Sequence, residues 1–287
     1  MACAGCGGAA VGGTAGAVDP PSQKQAVDPV IVNPSAAVSP SRAAASPSAR
    51  PVASSTPRPR PTPARQSKPL AGKVIGIDPG HNGRNKDDPS FINRLIWNGR
   101  EWETCDTTGT ETGGGYTEAQ FNFNVATYLR TDLISEGAKV VMTRPNNTGV
   151  GPCVNKRAQI INAAHANVAI DIHADGGPAR GRGFTVLEPV ADGPNDKVIK
   201  ASVRFGGDVR AAMLKYTTMP ESDYYGHDGI ILRNDLAGLN LTRVPKILIE
   251  SGNMRNATDA RLLTQSSFQR ELAKAFAAAI VRFLAGH

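Results

Sequence analysis

The chain has 287 residues, a formal net charge of +7 and an apolar fraction of 40%. This is enough apolar material for a sizeable core, but no apolar run reaches the about 18 residues that a membrane-spanning helix needs. DNA- and RNA-binding signatures are also missing from the sequence, so we do not expect nucleic acid to be a partner.

Residues 1–70 differ from the rest of the chain in composition. They contain 12 of the 21 prolines, no aromatic residue, and seven Lys or Arg against two Asp. Such a segment cannot bury enough apolar area to offset its loss of conformational entropy. We therefore expect a disordered, basic tether over 1–70 and one folded domain over 71–287. Its positive charge favours attraction to an anionic polymer of the cell envelope.

The first residues, "MACAGCGGAA", lack the charged and apolar regions of a complete signal peptide. The "CAGC" sequence before a long Ala/Pro/Ser-rich segment is nevertheless typical of the end of a bacterial lipoprotein signal. Cys6 would then be the lipidated residue of an exported protein. The alternative is a chance pair of cysteines in a low-complexity segment, and the sequence leaves both open.

Within 71–287, β-branched apolar runs alternate with segments of helical periodicity. Strands are predicted at 73–78, 138–143, 168–172, 183–188 and 246–250. Helices are predicted at 117–137 (opened by a capping box, Thr117 to Gln120), 155–166 (with Asn155 as N-cap), 197–217 and 268–283. This alternation predicts an α/β fold: a single domain with a mainly parallel, twisted, mixed β-sheet covered by helices on both faces.

Four titratable residues are predicted to lie at one edge of this sheet, where ligands bind beyond the carboxyl ends of the strands. His81 follows the first strand, His173 follows the third, and Glu250 ends the fifth. Glu118 lies in the first turn of the first helix, where the helix N-terminus favours a negative charge. That favourable helix charge is also the structural alternative for Glu118, and His81 has the alternative of an ordinary loop histidine.

These residue types are suited to zinc catalysis. Two histidines and a carboxylate are a common ligand set for catalytic zinc, and they leave the fourth position to water. His81, Glu118 and His173 would be the ligands, and Glu250 would be the base that takes a proton from the attacking water. Asp78 would accept an imidazole N–H and fix the tautomer of a histidine ligand.

Other titratable residues are interpreted without a catalytic role. Asp171 lies inside a buried apolar strand and is interpreted as structural. The three remaining histidines are interpreted as structural or solvent-exposed residues: His165, His227 and His287.

Five motifs occur in a fixed order: "IGIDPGHNG", "TEAQFNFNVATYLRTDL", "VVMTR", "NKRAQIINAAHANVAIDIHADG" and "ILIESGNMRNATDARLL". Over about residues 72–285 the chain thereby resembles the zinc-dependent N-acetylmuramoyl-L-alanine amidases of bacterial cell walls, the AmiC/CwlV-like group. The basic Ala/Pro-rich N-terminal segment is similar to that of actinobacterial, especially mycobacterial, members.

The resemblance implies one zinc ion per chain, with ligands at His81, Glu118 and His173 and a catalytic glutamate at Glu250. It implies hydrolysis of the amide between the lactyl group of N-acetylmuramic acid and L-alanine, in peptidoglycan or its muropeptide fragments. It also implies an exported protein of the periplasm or cell wall, and we expect a monomer.

Cys105 and Cys153 lie inside the predicted domain. In an exported protein they predict a disulfide, whereas in the cytosol they would be free thiols. The polar segment 91–117 is then either a flap beside the site, clipped by this disulfide, or an ordinary surface excursion.

Two other functions remain open. A zinc peptidase that cuts within the stem peptide needs the same metal and the same base. A catalytically idle peptidoglycan-binding module is disfavoured because all four candidate site residues are present.

Overall fold

The structure is a computed structural model that describes residues 68–191 and 193–286. The candidate lipidation site at Cys6, almost all of the predicted tether and His287 lie outside the described residues.

The described residues form eight strands: β1 (Val74–Pro79), β2 (Leu95–Trp97), β3 (Trp102–Thr104), β4 (Lys139–Met142), β5 (Val168–Asp175), β6 (Thr185–Pro189), β7 (Ile230–Arg233) and β8 (Lys246–Asn253). Six of them form one sheet in the order β4-β1-β5-β8-β6-β7. Strands β4, β1, β5 and β8 are mutually parallel, whereas β6 runs antiparallel to β8 and parallel to β7. Strands β2 and β3 form a separate antiparallel hairpin. The predicted mixed, mainly parallel sheet is therefore confirmed.

The helices pack on both faces of this sheet. They are α1 (Pro89–Ile92), α2 (Glu118–Ser135), α3 (Val154–Ala163), α4 (Ile199–Tyr216), α5 (Ala237–Asn240), α6 (Ala257–Leu263) and α7 (Ser266–Ala285). On one face, α2, α4 and α7 pack against each other and bury strand residues such as Ile170 and Ile249 in the main core. The other face has a smaller cover, in which α3 packs Ile161 against Ala169 and α5 contributes Leu239. We call the face covered by α2, α4 and α7 the apolar face, and the face covered by α3 and α5 the polar face.

Three differences from the predicted element boundaries bear on the position of the candidate site residues. Helix α3 begins at Val154 with Cys153 in the N-cap position, so Asn155 is already helical. Strands β5 and β8 continue three residues past the predicted ends at 172 and 250. They do so because the two strands remain paired as far as Asp175 and Asn253, with a register shift on the way. The predicted cap of α2 is present, since Gln120 N donates to Thr117 Oγ1 over 3.3 Å.

Candidate metal centre

His173 and Glu250 lie on neighbouring strands rather than in loops. The register of β5 and β8 places them directly opposite each other. Side chains alternate along a strand, and both neighbours, Ile172 and Ile249, are buried in the main core. His173 and Glu250 therefore both lie on the polar face.

His81 reaches this face through the loop that follows β1. Its own φ is +58°, a left-handed conformation that is uncommon outside glycine. The preceding Gly80 passes so close to His173 that an added Cβ would lie 2.1 Å from the imidazole Cε1. The "PGH" sequence is thus explained: glycine lets the loop pass over one histidine while it delivers the other.

Glu118, the first residue of α2, joins the two histidines. Its Oε1 lies 2.8 Å from His173 Nδ1, and its Oε2 lies 3.2 Å from His81 Nε2. Burial alone would raise the pKa of this carboxyl group, but the two imidazoles hold it well below its usual value. The backbone N–H of Thr110 also donates to Oε2, over 3.0 Å.

Buried Arg144 fixes the backbone on both sides of this contact. Its guanidinium donates to Pro79 O over 2.8 Å and to Ala119 O over 2.9 Å. The loop that carries His81 and the first turn of α2 that carries Glu118 are therefore held in a common frame.

The three side chains fit a zinc ion in both chemistry and spacing. One ligand atom from each of His81, Glu118 and His173 lies within 4.8 Å of the other two. Zinc holds imidazole nitrogen and carboxylate oxygen at about 2.0–2.2 Å, so ligand atoms this close can share one ion. Burial lowers the pKa of His81, but Glu118 and Asp106 outweigh it and raise the pKa to about 9. The site therefore attracts positive charge, and a bound cation would replace the imidazole protons.

A carboxylate contacts the second nitrogen of each imidazole. Asp106 Oδ1 lies 3.1 Å from His81 Nδ1, and Asp171 Oδ1 lies 3.3 Å from His173 Nε2. Such contacts fix the tautomer and the ring orientation of a metal-binding histidine. Burial opposes ionisation of Asp106, but His81 and Arg157 lower its pKa to about 2.

The structure corrects the role predicted for Asp78. Its carboxylate accepts hydrogen bonds from Thr143 at 2.6 Å, Lys246 at 2.7 Å and Arg157 at 3.1 Å. The side chain of Asp78 lies on the polar face of β1, whereas the backbone turns away before His81. Its place beside the His81 ring is taken by Asp106.

Two buried cations connect the carboxylates behind the candidate metal site. Arg157 contacts both Asp106 and Asp78 at 3.1 Å. Lys246 contacts Asp78 at 2.7 Å and Asp171 at 3.0 Å. The contacts close a ring, which we call the charged ring: His81, Glu118, His173, Asp171, Lys246, Asp78, Arg157 and Asp106.

Sequence reasoning missed most of the ring behind the metal site. The sequence predicts a structural role for Asp171, although this residue precedes His173 by two positions and therefore shares its strand face. That spacing was the available signal. Asp106, Arg157 and Lys246 carry no comparable signal, because an arginine in a helix and a lysine at the start of a strand are usually solvent-exposed.

Glu250 stands apart from the ring. Its Oε2 is buried without a hydrogen-bond partner. Burial raises the pKa of Glu250 to about 8, and the imidazole of His173 offsets only part of this effect. Glu250 lines a cavity of about 460 Å³ together with His81, Glu118 and His173. A carboxylate with a free oxygen beside a metal site can exchange a proton with water or substrate in that cavity.

Segment 91–117 borders the same cavity. Cys105 is joined to Cys153 by a disulfide, which connects this segment to the start of α3. Residues after the disulfide, among them Thr107 and Thr110, line the cavity. The gating role of this segment stays a prediction. His165 and His227 are exposed and lie outside the site.

Three comparisons place these features among known proteins. The sequence model of the N-acetylmuramoyl-L-alanine amidase family matches residues 75–282. An N-acetylmuramoyl-L-alanine amidase of Mycobacterium tuberculosis is 39% identical over 223 residues, which are 75% of this chain and 88% of the relative. The crystal structure of the apo form of an N-acetylmuramyl-L-alanine amidase from Mycobacterium abscessus is 38% identical, with a TM-score of 0.71 over 75% of this chain and all of the other. The corresponding structure from Mycobacterium smegmatis is 35% identical, with a TM-score of 0.72 over 76% of this chain and 99% of the other.

Proposed function

Because the chain belongs to the N-acetylmuramoyl-L-alanine amidase family and is similar to actinobacterial members of it, we propose that it is a zinc-dependent peptidoglycan hydrolase. Its reaction is hydrolysis of the amide between the lactyl group of N-acetylmuramic acid and L-alanine, in peptidoglycan or muropeptides. One observation supports this most strongly: three zinc-type ligands converge beside a buried carboxylate, Glu250, that has a free oxygen.

His81, Glu118 and His173 would hold the single zinc ion. When bound, zinc supplies a Lewis acid that polarises a carbonyl group and lowers the pKa of water to near neutrality. Asp106 and Asp171 hold the imidazoles in the orientation that ligation needs, through contacts of 3.1 and 3.3 Å. The charged ring thereby preorganises the ligands.

Glu250 moves the proton. Its free Oε2 accepts a proton from water as the water oxygen attacks the lactyl carbonyl carbon. The same oxygen then donates this proton to the amide nitrogen, and the C–N bond breaks to release the amino group of L-alanine. Burial of Glu250 raises its pKa, whereas a zinc ion held by the neighbouring ligands would lower it, so the carboxylate can both accept the proton of the water and return it.

The proposed place of action is the periplasm or cell wall, where the substrate is found. The Cys105–Cys153 disulfide is consistent with an oxidising compartment. Among the described helices, none combines the length and the apolar character that crossing a bilayer requires. Lipid anchoring through Cys6 and a monomeric state stay predictions.

Digestion of purified peptidoglycan and soluble muropeptides, analysed by mass spectrometry, tests the proposed reaction. An amidase releases intact stem peptides with a free L-alanine amine and leaves a free lactyl carboxyl on the sugar. Fragments cut between amino acids would identify a peptidase instead, and unchanged substrate would identify a binding module. Parallel digests with a chelator, and with zinc restored, test the metal requirement.

A further inference from the structure

The β2–β3 hairpin carries an exposed aromatic pair that the metal centre does not use. Trp97 and Trp102 lie directly across from each other in the hairpin, with their rings edge to face and 5.7 Å apart. The two residues are 47% and 63% exposed, and neighbouring Leu95 is 65% exposed. Large apolar side chains grouped on a surface in this way commonly mark a binding site.

These side chains are not misplaced core residues. Alternation along the hairpin puts Leu95, Trp97 and Trp102 on its outer face, and all of them are exposed. The inner face is the one that packs on the domain, where Glu103 Oε1 accepts a hydrogen bond from Ala237 N over 3.1 Å. We call the outer face of Leu95, Trp97 and Trp102 the aromatic platform.

The platform is held rigidly. In the turn between the strands, Asn98 is fully buried and donates to Asp235 O over 3.1 Å. Its Oδ1 accepts from the backbone N–H of Arg100 and of Glu101, at 2.9 and 2.8 Å. Directly after β3, Cys105 is fixed by its disulfide. A surface that is already ordered loses little entropy when a ligand binds.

One residue of the hairpin connects the face of the platform to the candidate active site. Thr104 faces outward on the hairpin like the tryptophans, and it also lines the cavity that contains His81 and Glu250. The amide that the proposed reaction cleaves is attached to a sugar ring through the short lactyl group. The glycan strand must therefore pass over the surface next to the cavity mouth.

We propose that the aromatic platform binds the glycan strand of peptidoglycan, with the rings of Trp97 and Trp102 stacked on pyranose rings next to the cleaved branch. The negative π-face of an aromatic ring attracts the weakly positive C–H groups on the flat face of a pyranose. This inference rests on the proposed function, because it assigns a second contact to the same substrate.

The size and surroundings of the platform favour a sugar over other occupants. Three side chains cannot supply the about 800 Å² per partner of a stable protein interface. Charged residues flank them on the exposed hairpin, namely Arg94, Arg100 and Glu101. A polar rim around an aromatic centre suits a ligand with polar edges and apolar faces.

Intrinsic fluorescence tests the platform directly, because Trp97 and Trp102 are the two tryptophans of the chain. The full chain is titrated with a β-1,4-linked tetramer of N-acetylglucosamine, which has no stem peptide and no bond for the proposed reaction. We expect a saturable shift or quenching of the emission, with both Trp97→Phe and Trp102→Phe weakening the affinity. An emission that does not change over millimolar tetramer would overturn the proposal.

Two controls distinguish the other occupants. Emission that changes with protein concentration, together with dimers that dissociate in Trp102→Ala, would show that the platform binds a second copy. Emission that shifts with vesicles of anionic lipid but not with the tetramer would show a membrane surface. Either result would overturn the glycan assignment.

Kinetics separate this inference from the proposed function. In the double variant Trp97→Ala/Trp102→Ala we expect KM for glycan-chain substrates to rise about tenfold, which corresponds to the binding energy of about one aromatic contact. We expect kcat to be unchanged. Cleavage of a single N-acetylmuramoyl dipeptide should stay near the wild-type rate, and the matched control Leu214→Ala, at another exposed leucine, should leave both substrates unaffected. Equal losses on both substrates would contradict the platform. A wild-type protein that cleaves neither would contradict the proposed function, while the fluorescence titration still decides the platform.

Discussion

The two faces of the central sheet are formed by the same strands, but one face is apolar and the other carries buried charged residues. On β5, Ile170 and Ile172 enter the main core, while Asp171 and His173 enter the charged ring. The apolar face is stabilised by the burial of many apolar side chains, and each contributes in proportion to the area that it removes from water. The polar face buries ions, and their desolvation is offset only while every partner is present. Strand alternation thus lets one sheet combine a stable core with a specific reaction site.

The largest effects should come from substitutions of the proposed metal ligands on the polar face. His81→Ala and His173→Ala should each lose the bound zinc and reduce amide cleavage to background, because two remaining ligands do not hold the ion. Metal analysis after dialysis and muropeptide digestion measure both effects. His165→Ala is the matched control, since His165 is exposed outside the site. Full zinc occupancy in both ligand variants would remove these residues from the site.

Single and double substitutions on the two faces should change the free energy of unfolding in different ways. Arg157→Met leaves Asp106 and Asp78 buried without this partner, and we expect the free energy of unfolding to fall by about 3–5 kcal/mol. Adding Asp106→Asn should restore part of that loss, because it removes one of the uncompensated charges. On the apolar face, Ile170→Ala should cost about 2–5 kcal/mol, and adding Ile249→Ala should only increase the loss. Urea unfolding of the four variants measures these free energies. If the second substitution added to the loss on the polar face as it does on the apolar face, the proposed difference between the faces would be wrong.

Substitution of different carboxylates in the charged ring should affect different properties, either zinc affinity or stability. Asp106→Asn and Asp171→Asn should weaken zinc affinity by about 10- to 100-fold, because each removes the group that orients a ligand imidazole. Asp78→Asn should mainly lower stability, since Asp78 contacts Lys246 and Arg157 instead of an imidazole. Competition with a zinc chelator measures the affinities. An Asp78 variant with the weakest zinc binding of the three would restore the role predicted for it from the sequence.

The smallest effect concerns an acid on the apolar face. Glu188 packs against Gly206 of α4, where an added Cβ would lie 2.1 Å from the carboxylate Oε1. Burial raises the pKa of Glu188 from its ordinary value of 4.5 to about 7. Between these values the folded protein binds more protons than the unfolded chain, so the free energy of unfolding falls as pH rises through this window.

Glu188→Gln should remove this pH dependence. We expect it to match the wild type near pH 5 and to be more stable by about 1–2 kcal/mol near pH 8, where the buried wild-type carboxylate is ionised. Urea unfolding at both pH values measures the difference. An equal effect of the substitution at both values would show that Glu188 titrates normally.

The sequence predicted the parts of this molecule that depend on local pattern. The main sheet strands β1, β4, β5, β6 and β8 and the cap of α2 at Thr117 follow from apolar runs and capping residues. The sequence does not predict the short strands β2, β3 and β7. Strands β2 and β3 have only three residues each, too few to show alternation, and the four residues of β7 lie between the turn-rich sequences "YGHDG" and "ND". Strand β8 was predicted too short, which placed Glu250 at a strand end instead of opposite His173.

The charged ring could not be predicted because its contacts are long-range. Lys246 and Asp78 are 168 residues apart in the chain, and Arg157 and Asp78 are 79 apart. Burial of a lysine becomes favourable only once both carboxylate partners are in place. Tertiary packing determines which residues of the charged ring contact each other, and no local pattern in this sequence indicates those contacts.

The central claim is a division of labour in which three residues hold zinc and Glu250 moves the proton. Glu250→Gln keeps the shape of the side chain but cannot accept a proton, so zinc content and fold should be unchanged while amide cleavage falls by about 100-fold or more. Glu118→Gln should instead lower zinc occupancy, and added zinc should restore part of its activity. The most direct measurement is zinc content and muropeptide cleavage on the same Glu250→Gln sample. Full zinc with strongly reduced cleavage is the predicted result, and either full activity or loss of zinc would contradict the account.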